Sequence, residues 1–105
     1  MKKVLSLIAL VSLSATAFAV DKDAAMALAQ KNGCLACHAL ETKMVGPAWN
    51  DVGKKYAGDA TAAEQLAVKV KKGTKGTWGA IPMPPNATVK PADIKTLVEF
   101  VLTLK

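Results

Sequence analysis

The chain has 105 residues, of which 51% are hydrophobic and only 5% aromatic, with two cysteines and a single histidine. All fourteen of its basic residues are lysines, set against eight acids. Without arginine to grip phosphates and base edges, nucleic acid is excluded as a partner. The length suits one small domain, and its scarcity of large apolar side chains leaves the core short of filling. Something besides side chains is expected in its middle.

The first nineteen residues, "MKKVLSLIALVSLSATAFA", combine two lysines, a short apolar run and a small–x–small end. That is the plan of a secretory signal peptide, with cleavage expected after Ala19. The apolar run is shorter than the roughly 20 residues a spanning helix needs, so no membrane insertion is expected once it is removed. The working domain is residues 20–105, an exported, soluble chain that keeps an excess of lysines over acids.

Within that domain the pattern reads as helices separated by Gly/Pro loops. Asp21 and Asp23 can cap a helix through "AAMALAQKN", with Gly33 as its stop. A short helix fits "AWNDVGKKYA", although Gly53 in its interior weakens it. Thr61 and Glu64 form a T-x-x-E capping box before "AAEQLAVKVKK", which ends at Gly73. Residues 73–86, "GTKGTWGAIPMPPN", hold too much Gly and Pro for a helix or a central strand. A last helix starts with Pro91 in its first turn and repeats Ile94, Leu97, Val98, Val101 and Leu102 at helical spacing, with Leu104 widening the apolar face. The class is all-α, in one domain of about four helices.

Both cysteines and the histidine lie in "GCLACHAL". Cys34, Cys37 and His38 form C-x-x-C-H, the attachment signature of c-type haem. Residues three apart on a helical turn share a face, so both thiols can reach the two vinyl groups of one porphyrin. His38 is then tethered beside the iron, and its bond to the metal becomes effectively intramolecular. A closed zinc site needs four ligands and lacks them here. A thioredoxin-like dithiol calls for a strand–helix alternation that is absent. A disulfide closing so short a loop would restrict the unfolded chain little.

The sixth position on iron is either open or filled by a methionine, Met26, Met44 or Met83, since there is no second histidine. Met26 and Met44 lie too close in sequence to C-x-x-C-H to reach the other face of the porphyrin, and both are expected as buried packing residues. Met83 sits 45 residues beyond His38 in "AIPMPPNA". Pro82, Pro84 and Pro85 favour extended backbone and cannot donate N–H, so the loop is stiff and presents one thioether. Met83 is the expected sixth ligand.

In order and spacing, "GCLACHAL", "KMVGPAW", "KGTWG" and "IPMPPN" resemble the small single-haem class I cytochromes c of bacteria, of the c-551/c-552 type, over nearly the whole of residues 21–105. The resemblance implies first and last helices that cross, packing Leu28 and its neighbours on Leu97, Val98 and Val101. It implies that the Pro47 carbonyl accepts a bond from His38 Nδ1–H, which would fix the ring and raise its basicity. Trp78 is then expected to point its indole N–H at a haem propionate, and Asn86 to hydrogen-bond the Met83 sulfur. Lys69 stands where relatives often have arginine, so its contact to a propionate lacks the planar fork.

The expected function is periplasmic one-electron transfer, shuttling Fe(III)/Fe(II) electrons between a respiratory donor and a terminal oxidase or nitrite reductase. The chain is expected to be a monomer and not an enzyme, meeting redox partners through lysines around the exposed haem edge. The alternative is a five-coordinate haem enzyme or gas sensor with Met83 as packing, distinguished by a high-spin spectrum and ready binding of carbon monoxide.

Overall fold

The structure is a computed structural model that describes residues 8–9 and 20–105. Apart from Ile8 and Ala9, the expected leader lies outside the described residues. Four helices follow in chain order: α1 (Lys22–Lys31), α2 (Trp49–Lys55), α3 (Ala62–Lys72) and α4 (Pro91–Leu102), with a 3₁₀ turn at Cys34–Ala36 between the first two. Among the described residues there is no strand, only one isolated bridge, and no helix long and apolar enough to cross a membrane.

Helix α4 organises the domain, packing against α1, α2 and α3 in turn. Its heptad-like apolar positions, with Phe100 added, are the reason: Ile94, Leu97, Val98, Phe100 and Val101 are all buried. Pro91 occupies the start of α4, where its missing N–H costs nothing. The helix stops at Leu102, so Leu104 reaches the core from beyond the helix rather than along its face.

The α1 residues that are fully buried are Ala25 and Ala29, while Leu28 is only partly so. This shifts the expected contact from leucine to alanine, because small side chains let the α1 backbone come close and leave Leu28 at the margin. Asp21 caps α1, its carboxylate accepting from Asp23 N–H at 3.3 Å. Asn32 closes the other end, donating from Nδ2 to the Leu28 carbonyl at 2.9 Å.

Helix α2 keeps Gly53 in its interior for a steric reason. A Cβ there would meet the Val101 carbonyl oxygen at 2.8 Å, and would also strike that of Leu104. A residue that lowers helix propensity by about 1 kcal/mol is what allows α2 to lie on the end of α4.

The expected capping box at α3 does not form. Thr61 is already helical (φ −100°, ψ 0°) and its side chain caps nothing in the helix. Instead Asp59 Oδ1 accepts both the Thr61 N–H and its hydroxyl, each at 2.8 Å, and Gln65 Nε2 bonds Thr61 Oγ1. A residue that has entered the helical region cannot swing its hydroxyl back over the first turn, so the carboxylate two residues earlier takes over.

Candidate haem site

Between the helices and the 73–86 loop lies a cavity of about 290 Å³. It is lined by both His38 and Met83, with Val52, Leu66, Val70 and Val101 among its apolar walls. This is the unfilled middle that the composition implied. Its size is near the lower end of small-molecule sites, and its lining has the expected character of an apolar wall with a few placed polar groups.

The His38 side is built first by backbone bonds. His38 N–H bonds the Cys34 carbonyl at 3.0 Å and Gly46 N–H bonds the Cys37 carbonyl at 2.8 Å, closing the attachment segment on the turn that follows it. His38 Nδ1 lies 2.8 Å from the Pro47 carbonyl oxygen. A carbonyl only accepts, so Nδ1 carries the hydrogen and the neutral ring keeps its Nε2 lone pair for a metal. Gly46 is close against the Cε1 end of the imidazole: a Cβ would stand 2.6 Å from Cε1 and 3.0 Å from Nδ1. Nothing in the sequence marks Gly46 for this; as part of a Gly-Pro turn it looks ordinary.

Cys34 and Cys37 are unbridged and only partly buried. Burial pushes the Cys34 thiol up from its ordinary range, which keeps it protonated in the unreacted chain. Among the described residues no three of His, Cys, Asp and Glu gather as a metal-holding group. Cys37 lines the cavity, where the imidazole nitrogens belong to His38.

Met83 is held by its backbone. Met83 N–H bonds the Thr74 carbonyl at 2.9 Å and Thr74 N–H returns to the Met83 carbonyl at 3.0 Å. This antiparallel bridge closes the loop at its two ends. Gly73 makes it possible: it sits at φ 79°, ψ 170°, a region essentially reserved for glycine, and a Cβ would meet the Met83 oxygen at 2.6 Å. The Met44 side chain, expected in the core, is 47% exposed. It belongs to a surface turn closed by Met44 N–H to the Gly46 carbonyl at 3.1 Å, which leaves the thioether at the cavity mouth. Met26 does pack against the core.

The family model for cytochrome c matches residues 23–105. The chain belongs to the cytochrome c family. Cytochrome c-552 of Nitrosomonas europaea is 56% identical over 78 residues, covering 74% of this chain and 76% of that protein. Cytochrome c-552 of Hydrogenobacter thermophilus is 48% identical over 105 residues, the full length of both. The crystal structure of the wild-type Nitrosomonas europaea cytochrome c552 superposes with a TM-score of 0.74 at 55% identity, covering 76% of this chain and 99% of that one.

As a cytochrome c of the small c-551/c-552 kind, the chain has the all-α class I fold, binds one covalently attached haem c, and is an electron carrier rather than an enzyme. The residues present fit that cofactor: an apolar cavity, the Cys37 thiol on its wall with Cys34 three residues earlier, one imidazole with its tautomer set, and the thioethers of Met83 and Met44.

The remaining site residues fall around this cytochrome c cavity. Trp78 lines it and is 37% exposed, with Lys55 Nζ 5.0 Å above its ring centroid. Lys69 also lines it, and its Nζ donates to the Tyr56 hydroxyl at 3.0 Å, over the face of the same ring. Asn86 Nδ2 makes its hydrogen bonds to the carbonyls of Val70 (3.2 Å) and Pro84 (3.3 Å), rather than to the Met83 thioether. Its backbone N–H also bonds Val70 O at 3.1 Å, so Asn86 ties the end of the methionine loop to α3.

Proposed function

We propose that Cys34 and Cys37 form the two thioethers, that His38 and Met83 are the axial iron ligands, and that the protein is a periplasmic one-electron carrier between respiratory enzymes. The observation that carries this is an apolar cavity lined by both His38 and Met83, with Cys37 of the only C-x-x-C-H on its wall. When bound, the haem supplies the one-electron couple of its iron. The chain's own residues decide how that couple is used. With an imidazole and a thioether both committed, no position is left for oxygen or peroxide. The thioether favours the ferrous state and raises the potential relative to two nitrogen ligands. Apolar walls push the same way, because they penalise the additional positive charge of the ferric state.

Pro47 keeps the His38 ring oriented and more basic through its carbonyl. Trp78 and Lys69 stand at the cavity as donors for haem propionates, with Lys69 drawn from Tyr56 to do so. Asn86 supports Met83 through the loop. The leader of residues 1–19 directs the chain to the periplasm and is removed after Ala19.

Partners meet the molecule at the cavity mouth. Met44, Val45 and Ile81 are 47%, 51% and 66% exposed there, and Lys43 stands beside them. An apolar contact with Lys43 at its edge suits a brief encounter with an acidic redox protein, fast at low salt and slowed by screening. Stopped-flow reduction and reoxidation of the holoprotein against candidate reductases and oxidases, with salt varied, tests this. Fast exchange with at least one partner that slows as salt rises is expected. Exchange indifferent to salt with every partner would contradict the lysine-guided encounter.

A further inference from the structure

His38 is held by more than its hydrogen bond. With the ring tethered at Cβ–Cγ, a single hydrogen bond at Nδ1 still tolerates a range of angles, so a further contact against the face of the imidazole narrows the orientation of its plane. The indole of Trp49 provides it. Its ring lies 5.7 Å from the His38 ring, centroid to centroid, with an interplanar angle of 29°, an offset stack. Trp49 is 6% exposed and cannot move outward without opening the core.

Trp49 is itself held from two directions. Its backbone N–H bonds the carbonyl of Ala39, the residue after His38, at 2.9 Å, and the backbone N–H of Asn50 bonds Leu40 O at 2.9 Å. These bonds tie the start of α2 to the residues just beyond the ligand. From the other side, Phe100 of α4 meets the indole edge-on at 6.3 Å and 80°, and is only 2% exposed. The result is an aromatic column, Phe100–Trp49–His38, buried at Phe100 and Trp49, that runs from the most heavily packed helix to the half-buried imidazole.

We propose that Trp49 is a positioning residue: by stacking on His38, and being backed by Phe100, it fixes the rotation of the imidazole plane in the holoprotein. The Gly46 backbone at the Cε1 end and the Pro47 carbonyl at Nδ1 define the remaining limits of the ring. This rests on His38 being the iron ligand, as proposed above. The electronic consequence is that the ligand plane, and with it the direction of the unpaired spin on the ferric haem, is set by the protein core.

The test uses the mature holoprotein and three variants: Trp49→Leu, Trp49→Phe and Phe100→Leu. Two readouts are followed by NMR: the hyperfine-shifted haem methyl pattern of the ferric protein, and exchange of the His38 Nδ1 proton, both set against global stability. An aromatic pair is worth about 0.5–1.5 kcal/mol beyond its burial, so Trp49→Leu should speed Nδ1–H exchange by roughly three- to tenfold more than its loss of global stability explains. It should also change the spread and order of the methyl shifts. Trp49→Phe, which keeps an aromatic face, should restore most of both. If Trp49→Leu does not mature, Phe100→Leu should show the same change of pattern in weaker form. Trp49→Leu or Phe100→Leu with lowered stability but wild-type methyl pattern and wild-type relative exchange would overturn the proposal. A wild-type protein with no histidine-ligated haem would overturn both this proposal and the ligand assignment beneath it, and so tells the two failures apart.

Discussion

The two sides of the haem site are held by different means. On the His38 side the imidazole itself is gripped, by the Pro47 carbonyl, the Gly46 backbone and the buried indole of Trp49. On the Met83 side the structure grips only the backbone, through the Thr74 bridge and the Asn86 bonds, while Ile81 two residues earlier is 66% exposed. A thioether on a flexible side chain needs only to be delivered to the right place, whereas an imidazole must also be oriented. The difference teaches that stiffness was placed where ligand direction matters, and that the methionine side should yield first when the site is stressed.

Removing a wall from each side gives the largest contrast. Phe100→Ala empties a fully buried aromatic site and should cost about 3–5 kcal/mol in denaturant unfolding. Ile81→Ala, at the exposed rim, should stay within about 0.5 kcal/mol. Equal costs would mean that the two sides are supported alike.

A matched pair of glycines sharpens this to the ligands. Gly46→Ala drives a methyl into the His38 ring and should cost about 1–3 kcal/mol. Gly73→Ala forces alanine into a backbone region it avoids and presses on the Met83 carbonyl, at a cost also of about 1–3 kcal/mol. The readouts should differ: the first should disturb haem methyl shifts with methionine ligation kept, the second should loosen methionine ligation. Asn86→Ala should cost about 1 kcal/mol. It should let added imidazole displace Met83 several-fold faster while leaving the His38 Nδ1–H exchange unchanged.

The smallest effect lies away from both ligands and serves as their control. The Thr61 hydroxyl, and then its N–H, hold the exposed Asp59 carboxyl below its usual range. A carboxylate favoured by folding contributes stability above its unfolded pKa, and that contribution disappears as pH falls through the lower folded value. Asp59→Asn should therefore flatten the acid edge of the stability curve slightly, below the ordinary aspartate range, with the haem spectrum untouched.

How much of this was readable beforehand follows from the kind of interaction. Cys34, Cys37 and His38 were singled out by a spacing that covalent attachment would dictate, and Met83 by the prolines around it; the structure brings Cys37, His38 and Met83 to one cavity. The helices were legible from period and breakers, α4 best of all. The Pro47 carbonyl entered the reading only through resemblance, since a backbone acceptor leaves no mark on composition. Gly46 and Trp49 were not legible as ligand supports: one matters because of a close approach and the other because of a stack, and both depend on the path of the turn between them. The Thr74–Met83 bridge joins one residue to one residue, so no alternation announces it. Thr61 misled because a capping box is a sequence pattern, while capping needs a residue still outside the helix.

The most direct measurement is the absorption spectrum of the ferric holoprotein, in the region of the weak sulfur-to-iron band, for wild type, Met83→Ala and Met44→Ala. With His38 and Met83 as axial ligands, wild type and Met44→Ala should both show the band and a low-spin haem. Met83→Ala should keep its covalent haem, lose the band, become high-spin and, once reduced, bind carbon monoxide readily. A band that survives in Met83→Ala, or disappears in Met44→Ala, would contradict the assignment of Met83.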